Sequence, residues 1–368
     1  MSLDRAHVMS EQQCSLVLTG TPSQPQWTMT RRAGDACYRV QGRRRLQDAV
    51  SRGVAAGLVH QAERWLSRLL VQLRALSSPA TEVHARVLLR RRQVAGVTDY
   101  RQQFQGFWGR LKHGGSWDTA FGSSRQGQAV FRRGPWEDWP RVLPAVKALE
   151  PALPLIFSPY CGTMLHEALG HTLEAEYLAG SPLADVIGSL VSHHDLTAMD
   201  RPDLGEMAGS MSHDDTGRPA TATTLVHRGI LVGNLAAENG VQRRASYRDF
   251  PLIRASNFVV KAGTGDPLDW LQGIPRAYYV CWVQSGNWLP DSDRVKLLFG
   301  PTFYMEYGQP RGYINWTSMT FSVKDLLARI VGVGSDFTVD PVVHWCVKRN
   351  QSVPMSLATP SLLLRGYR

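Results

Sequence analysis

Within a helix-forming run at residues 163–178 stand His166, Glu167 and His171, and their spacing limits the geometry of this chain more than any other feature. Two imidazoles with a carboxylate between them are the raw material of a hydrolytic metal site. Neutral imidazole ligates the ion, and Glu can take a proton from water. In a regular helix of about 3.6 residues per turn, positions i and i+4 lie about 40° apart around the axis, but i and i+5 about 140° apart. His166 and His171 therefore cannot both chelate from an undistorted helix. Either the helix is locally overwound or bulged, or it ends and turns at Gly170, whose backbone freedom suits such a distortion. Read from spacing alone, two partly buried histidines that each bond locally are an equal alternative.

The rest of the 368 residues reads as an α+β protein. We expect a mixed α/β N-terminal domain at 1–150 and a largely antiparallel β C-terminal domain at 151–368 that carries the His-Glu-x-x-x-His helix. Residues 1–50 are polar and irregular, with Cys37 to Val40 the best hint of a strand. Between 49 and 76, Val54, Leu58, Ala62, Trp65, Leu69, Leu70 and Leu73 recur at helical spacing. Alternation of Val83, Ala85, Val87 and Leu89 marks strand within 82–100, and 128–131 is a weaker candidate. The Pro- and Trp-containing stretch 134–144 suits an interdomain crossing. A short apolar strand at 153–157 leads into the His-bearing run, turn-punctuated strands follow, and 322–333 reads as one further amphipathic helix.

The charge is unevenly distributed. Net charge is +10, with 23 Lys/Arg against 11 Asp/Glu in residues 1–150 and 18 against 20 thereafter. A basic front half fits nucleic acid, an acidic partner or an acidic substrate. Its arginines come in short clusters, Arg43-Arg44-Arg45 and Arg90-Arg91-Arg92, without a helix-turn-helix, finger or RNA-binding signature, so a solvated Arg-rich surface is the plainer reading. Five scattered cysteines, Cys14, Cys37, Cys161, Cys281 and Cys346, argue against both a disulfide framework and a zinc ribbon. No apolar run approaches the roughly eighteen residues of a membrane span, and the first thirty residues lack a secretory pattern, so the expected location is cytoplasmic.

Several blocks, in order, carry a family resemblance. Residues 161–176 (CGTMLHEALGHTLEAE), preceded by a strand, resemble the signature segment of the TldD/PmbA family of modulator-of-gyrase metallopeptidases, in its metal-bearing TldD-like branch. Residues 212–219 (SHDDTGRP), 224–233 (TLVHRGILVG), 243–248 (RRASYR), 251–257 (PLIRASN) and 346–354 (CVKRNQSVP) are similar to later family blocks. The likeness runs from about residue 80 to the end. It departs at Val347, where the family prefers Gly, and at 285–295 (SGNWLPDSDRV).

What the resemblance implies is a zinc metallopeptidase subunit acting on small or unfolded peptides, and the departures from the family pattern point to a specialised role, the maturation of a modified peptide or peptidic natural product. It implies that His166 and His171 bind one divalent ion, Zn2+, that Cys346 is the third protein ligand and that Glu167 is the general base. Three protein ligands with one open position is also what a catalytic zinc requires. The resemblance further implies a dimer, including a heterodimer with a related TldE/PmbA-like subunit that lacks the metal motif. Among other residues, Glu174 is a candidate to orient the imidazoles, and Glu176 reads as a surface acid. Arg244, Tyr247, Arg254 and Asn257 are candidate substrate-binding residues, structural pairing being the alternative. His193-His194-Asp195 is not expected to share a metal, since strand neighbours point to opposite faces. Asp214-Asp215-Thr216-Gly217 reads as a turn, not a calcium loop. The competing function is a basic nucleic-acid- or partner-binding protein with a purely structural metal site. A metal-free scaffold of the same family is disfavoured by the presence of all four site residues.

Overall fold

The computed structural model describes residues 7–33, 36–42, 56–76, 81–95, 100–113, 119–123, 128–140, 142–205, 207–236 and 238–366. The Arg43-Arg44-Arg45 cluster and Val54 lie outside them. An antiparallel sheet of seven strands occupies the N-terminal part, in the order Ala36–Gly42, Pro25–Ala33, His7–Gly20, Thr81–Ala95, Tyr100–His113, Thr119–Ser123, Val130–Phe131. Three of these strands fall in the region expected to be irregular. The polar spacing there conceals a one-sided pattern, with Cys14, Leu16 and Leu18 facing the core.

One helix, Ala56–Leu76, covers one face of this sheet. Its Leu58, Ala62, Trp65, Leu69 and Leu73 are buried against Val83, Ala85, Val87, Leu89 and Phe107. Burying each large side chain stabilises the layer by about 1.5–3 kcal/mol. The even-numbered residues of Thr81–Ala95 point to the opposite face. There Leu88 and Phe104 pack on Val343, with Trp108 and Trp345 beside them, so the sheet's second face lies on the C-terminal region.

That region contains two six-stranded sheets. One runs Gln309–Ile314, Thr302–Glu306, Arg276–Val280, Leu155–Phe157, Leu362–Leu364, Ile330–Val333; the other runs Ile230–Leu231, Thr223–His227, Ala198–Asp200, Phe258–Val260, Leu357–Thr359, Thr338–Val339. All pairings are antiparallel except Leu155–Phe157 with Arg276–Val280 and Phe258–Val260 with Leu357–Thr359. The fold is α+β, as expected. A three-stranded sheet (Val283–Leu289, Arg294–Phe299, Thr317–Ser322) and the hairpin His344–Lys348/Gln351–Met355 complete the surroundings of the histidine helix.

One local expectation is corrected. The amphipathic stretch 322–333 is a helix only over Val323–Ala328 and then a strand, Ile330–Val333, because Ile330 and Val333 pair with Leu364 and Leu362 at the sheet edge. The stretch 134–144 is anchored by Trp136, 1% exposed, which packs on Tyr160, Tyr279 and Trp282. No helix among the described residues is long and apolar enough to cross a membrane.

Candidate metal centre

The run expected as one helix, 163–178, is broken into three pieces. Thr163–Leu165 is α-helical, His166–His171 is a π-helical turn, and Ala175–Leu178 is a separate short helix. A π turn closes i→i+5 bonds and brings residues five apart onto one face. The distortion demanded by the spacing is thus a bulge, wider than an α-turn and not overwound. His166 and His171 rings accordingly lie 4.6 Å apart, centroid to centroid. Gly170 serves this in another way than a turn: a Cβ there would stand 2.5 Å from His166 Nδ1. The helix stops before Glu174, which is extended and bridges to Leu235.

The third component comes from the other end of the chain. Cys346 sits on the strand His344–Lys348 opposite Val353, and the hairpin turns through Arg349 and Asn350, both at positive φ (47° and 61°), the signature of a type I′ turn. The donor atoms of His166, His171 and Cys346 lie within 4.8 Å of one another, and Cys346 Sγ is 3.7 Å from His171 Nε2. His166 and Cys346 are 4% and 2% exposed. Both ring nitrogens of His166 are buried without a hydrogen-bond partner. Polar atoms so placed are costly unless something binds them.

Electrostatics prepare the donors. Burial alone would raise the Cys346 thiol, but neighbouring His171, His166 and Arg254 overcome it and hold the thiol well below its ordinary range. For His171, desolvation opposes the charge, while Cys346, Glu174 and Glu167 raise its pKa well above normal. Glu174 is fully buried; burial would raise it, yet His171 and Lys348 bring it down to about 2. Its Oε1 lies 3.4 Å from His171 Nδ1, and its Oε2 accepts from Lys348 Nζ at 2.8 Å. Two imidazoles and an ionisable thiolate, held by a carboxylate behind them, form a donor set that suits a borderline-soft divalent ion.

Glu167 lies beside these donors, 8% exposed, with Oε2 accepting the Trp288 N–H at 2.9 Å. Trp288 and Gly286 belong to the stretch 285–295 that departs from the family pattern. A Cβ on Gly286 would meet Glu167 Cγ at 2.4 Å, so close approach to the carboxylate needs Gly there. Val347 points outward, 61% exposed, and that departure stays clear of the donors. His166 and Glu167 line a cavity of about 750 Å³ between the helix and the second face of the N-terminal sheet.

The remaining expected residues are dispersed. Arg254 is fully buried and donates to Cys346 Sγ at 3.1 Å, to the Cys346 carbonyl and to the Gln351 carbonyl, so it braces the hairpin and the thiolate instead of reaching substrate. Asn257, also fully buried, has its amide occupied by Arg201, Ser210, Gly209 and Ser356. Arg244 is buried and bound to the Asp215 carbonyl, and Tyr247 is stacked under Arg248. None of these four lines the 750 Å³ cavity. Glu176 is exposed, as expected of a surface acid, and meets Lys348 at 3.6 Å and Arg349 at 3.3 Å. Asp214 closes its turn by accepting from Thr216 and Arg218.

His193, His194 and Asp195 do bring donor atoms within 4.8 Å. They sit in a turn, not a strand, so the alternation argument does not apply. Arg90 and Arg92 are turned inward onto the carbonyls of Ala245 and Arg244, which removes them from any solvated basic patch. Sequence reasoning missed Lys348 and the buried Arg132–Asp340–His344 group, in which Asp340 binds Arg132 at 2.6 Å and His344 at 2.7 Å. The only available signal was the i, i+2 spacing of Cys346 with His344 and Lys348, which places all three on one strand face.

The chain is similar to proteins named as metalloproteases. A "Metalloprotease TldD homolog" of Buchnera aphidicola is 26% identical over 239 residues, 61% of this chain and 49% of that protein. A "Metalloprotease" of Methanothermobacter thermautotrophicus is 27% identical over 216 residues, 56% of this chain and 47% of that protein. The chain thus spans about half the length of the curated relatives it matches. In structure it is similar to TldE from Thermococcus kodakarensis, with TM-score 0.66 and 16% identity, covering 99% of this chain and 96% of that one. The model of the PmbA/TldA metallopeptidase C-terminal domain matches residues 151–368. Ordered motif blocks, fold and domain match together make this chain a member of the PmbA/TldD metallopeptidase family.

Proposed function

We propose that the chain is the metal-bearing subunit of a TldD-type peptidase, with His166, His171 and Cys346 holding one zinc ion and Glu167 acting as general base. The observation that carries this reading is the convergence of three donors, 175 residues apart in sequence between His171 and Cys346, on a buried His166 whose ring nitrogens have no partner of ordinary hydrogen-bond geometry. When bound, the ion would supply a Lewis acid that polarises an amide carbonyl and acidifies water.

The protein's own groups supply the proton transfers. The Trp288 N–H anchors one oxygen of Glu167, leaving the other to accept a proton from water as that water adds to the carbonyl. Glu167 then returns the proton to the nitrogen as the C–N bond breaks, giving a carboxylic acid and an amine. Glu174 orients His171, and Arg254 and Lys348 hold the hairpin that bears the thiolate. A related family subunit as partner, cytoplasmic location, and small or modified peptides as substrates belong to the same reading and rest on the family likeness.

Metal analysis beside peptide cleavage tests it. The wild-type chain should retain one ion per chain, Cys346→Ala should lose it, and Glu167→Gln should keep it while cleavage disappears. Equal ion content in wild type and Cys346→Ala overturns the ligand set.

A further inference from the structure

The cavity at Glu167 is lined by side chains of opposite character from its two sides. The helix side contributes Glu167, the one carboxylate among the described lining residues. From the N-terminal sheet come His84, Arg86, Trp108 and Arg110, with Arg86 opposite Trp108 in register. Arg132 and His344 also reach the lining, but both are bonded to Asp340 behind them.

Arg86 differs from these. Its guanidinium lies 5.7 Å from the Trp108 ring centroid, and its Nε donates to Ser15 Oγ at 3.1 Å. Among the described residues no carboxylate pairs with it, so both terminal amino groups stay available toward the cavity. The surrounding protein desolvates it enough to pull its pKa below the ordinary guanidinium value. A flat cation fixed by stacking, with its two outer nitrogens undirected, matches the two oxygens of a carboxylate.

We propose that this cavity selects peptides that carry a carboxylate, gripped by the terminal nitrogens of Arg86 on its Trp108 platform. The proposal rests on the peptidase reading and narrows its substrate class: the N-terminal excess of basic residues is there in part to receive an acidic substrate. The carboxylate is either the C-terminus of the peptide or an Asp/Glu side chain, since both present the same group.

Binding to the full-length, zinc-loaded Glu167→Gln chain tests this without turnover. Fluorescent acetylated heptapeptides would be compared as free acid and amide, and with Glu or Gln at one interior position. The carboxylate forms should bind roughly tenfold or more tighter, the scale of a charge-assisted hydrogen bond. Adding Arg86→Gln should collapse that ratio toward one, Arg86→Lys should restore part of it, and Arg68→Gln, an exposed charge on the covering helix, should leave it intact. Whichever peptide pair shows the preference identifies the source of the carboxylate. Equal affinity for charged and neutral peptides, absence of peptide binding, or a parallel loss for both on Arg86→Gln overturns the proposal. Cleavage by the Glu167-intact chain separates the two readings: cleavage without preference defeats the carboxylate subsite alone, whereas preference without cleavage defeats the peptidase.

Discussion

Among the described residues, two histidine-rich clusters bring their donor atoms within 4.8 Å of one another and differ in origin, burial and support. His166, His171 and Cys346 are drawn from distant segments, enclosed, and backed by Glu174, Lys348 and Arg254. His193, His194 and Asp195 are sequence neighbours in a turn, with the His194 side chain 69% exposed and the Asp195 carboxylate already accepting from Thr264 N–H and Oγ1. In the first cluster, His166 and Cys346 are buried and the His166 nitrogens lack a partner of ordinary hydrogen-bond geometry, so an ion would replace a deficit. In the second, the Asp195 N–H already donates to His193 Nδ1 and His194 is open to solvent, so an ion must displace existing partners. Proximity of donors therefore distinguishes little; their desolvation and their supporting contacts distinguish much.

The strongest way to sharpen that contrast is Glu167→Gln. It should lower kcat for peptide cleavage by about 10²–10⁴-fold, the usual scale for a general base, while elemental analysis finds the ion retained. Cys346→Ala should weaken ion affinity by more than the 10–100-fold typical of losing an outer partner, measured by chelator competition. Glu174→Gln removes only such an outer partner and should fall within that 10–100-fold range; an unchanged affinity would dissociate His171 from its carboxylate.

A pH contrast is smaller. Burial would raise Asp340, but Arg132 and His344 bring it down to about 2 from 3.8. Its stabilisation is therefore fully present above about pH 3.8 and is lost as pH falls through about 2. The loss is roughly 2 kcal/mol for such a shift. Asp340→Asn should flatten the acid limb of a denaturant-stability profile by about that amount. The smallest effect belongs to the second cluster: His193→Ala with His194→Ala should leave ion stoichiometry unchanged, and a halved stoichiometry would erase the distinction between the clusters.

Much of the site was legible before the fold. His166, Glu167, His171 and Cys346 stood out by residue type, spacing and family likeness, and the i, i+5 spacing meant that joint chelation needs a distorted helix. The substrate candidates fared differently. Arg254 and Asn257 look like polar groups available for binding, yet tertiary packing encloses them, and a buried guanidinium or amide must satisfy its hydrogen bonds internally. Arg86 and Trp108 drew no notice, because a cross-strand pair depends on register between strands that share no local motif. The N-terminal strands were missed for a related reason: their apolar residues occupy one face in a largely polar sequence.

What the sequence determined by itself was local: the helical and strand periodicities, the donor chemistry, and the need for some distortion if His166 and His171 are to chelate together. Only the tertiary structure decided that the distortion is a π turn, how the candidate thiol and carboxylate come up to the imidazoles, and that an Arg-bearing sheet forms the facing wall. Periodicity records which face of an element is apolar, whereas long-range contacts are set by how whole faces pack. Those contacts create the buried, low-dielectric space in which a few polar groups acquire their chemistry.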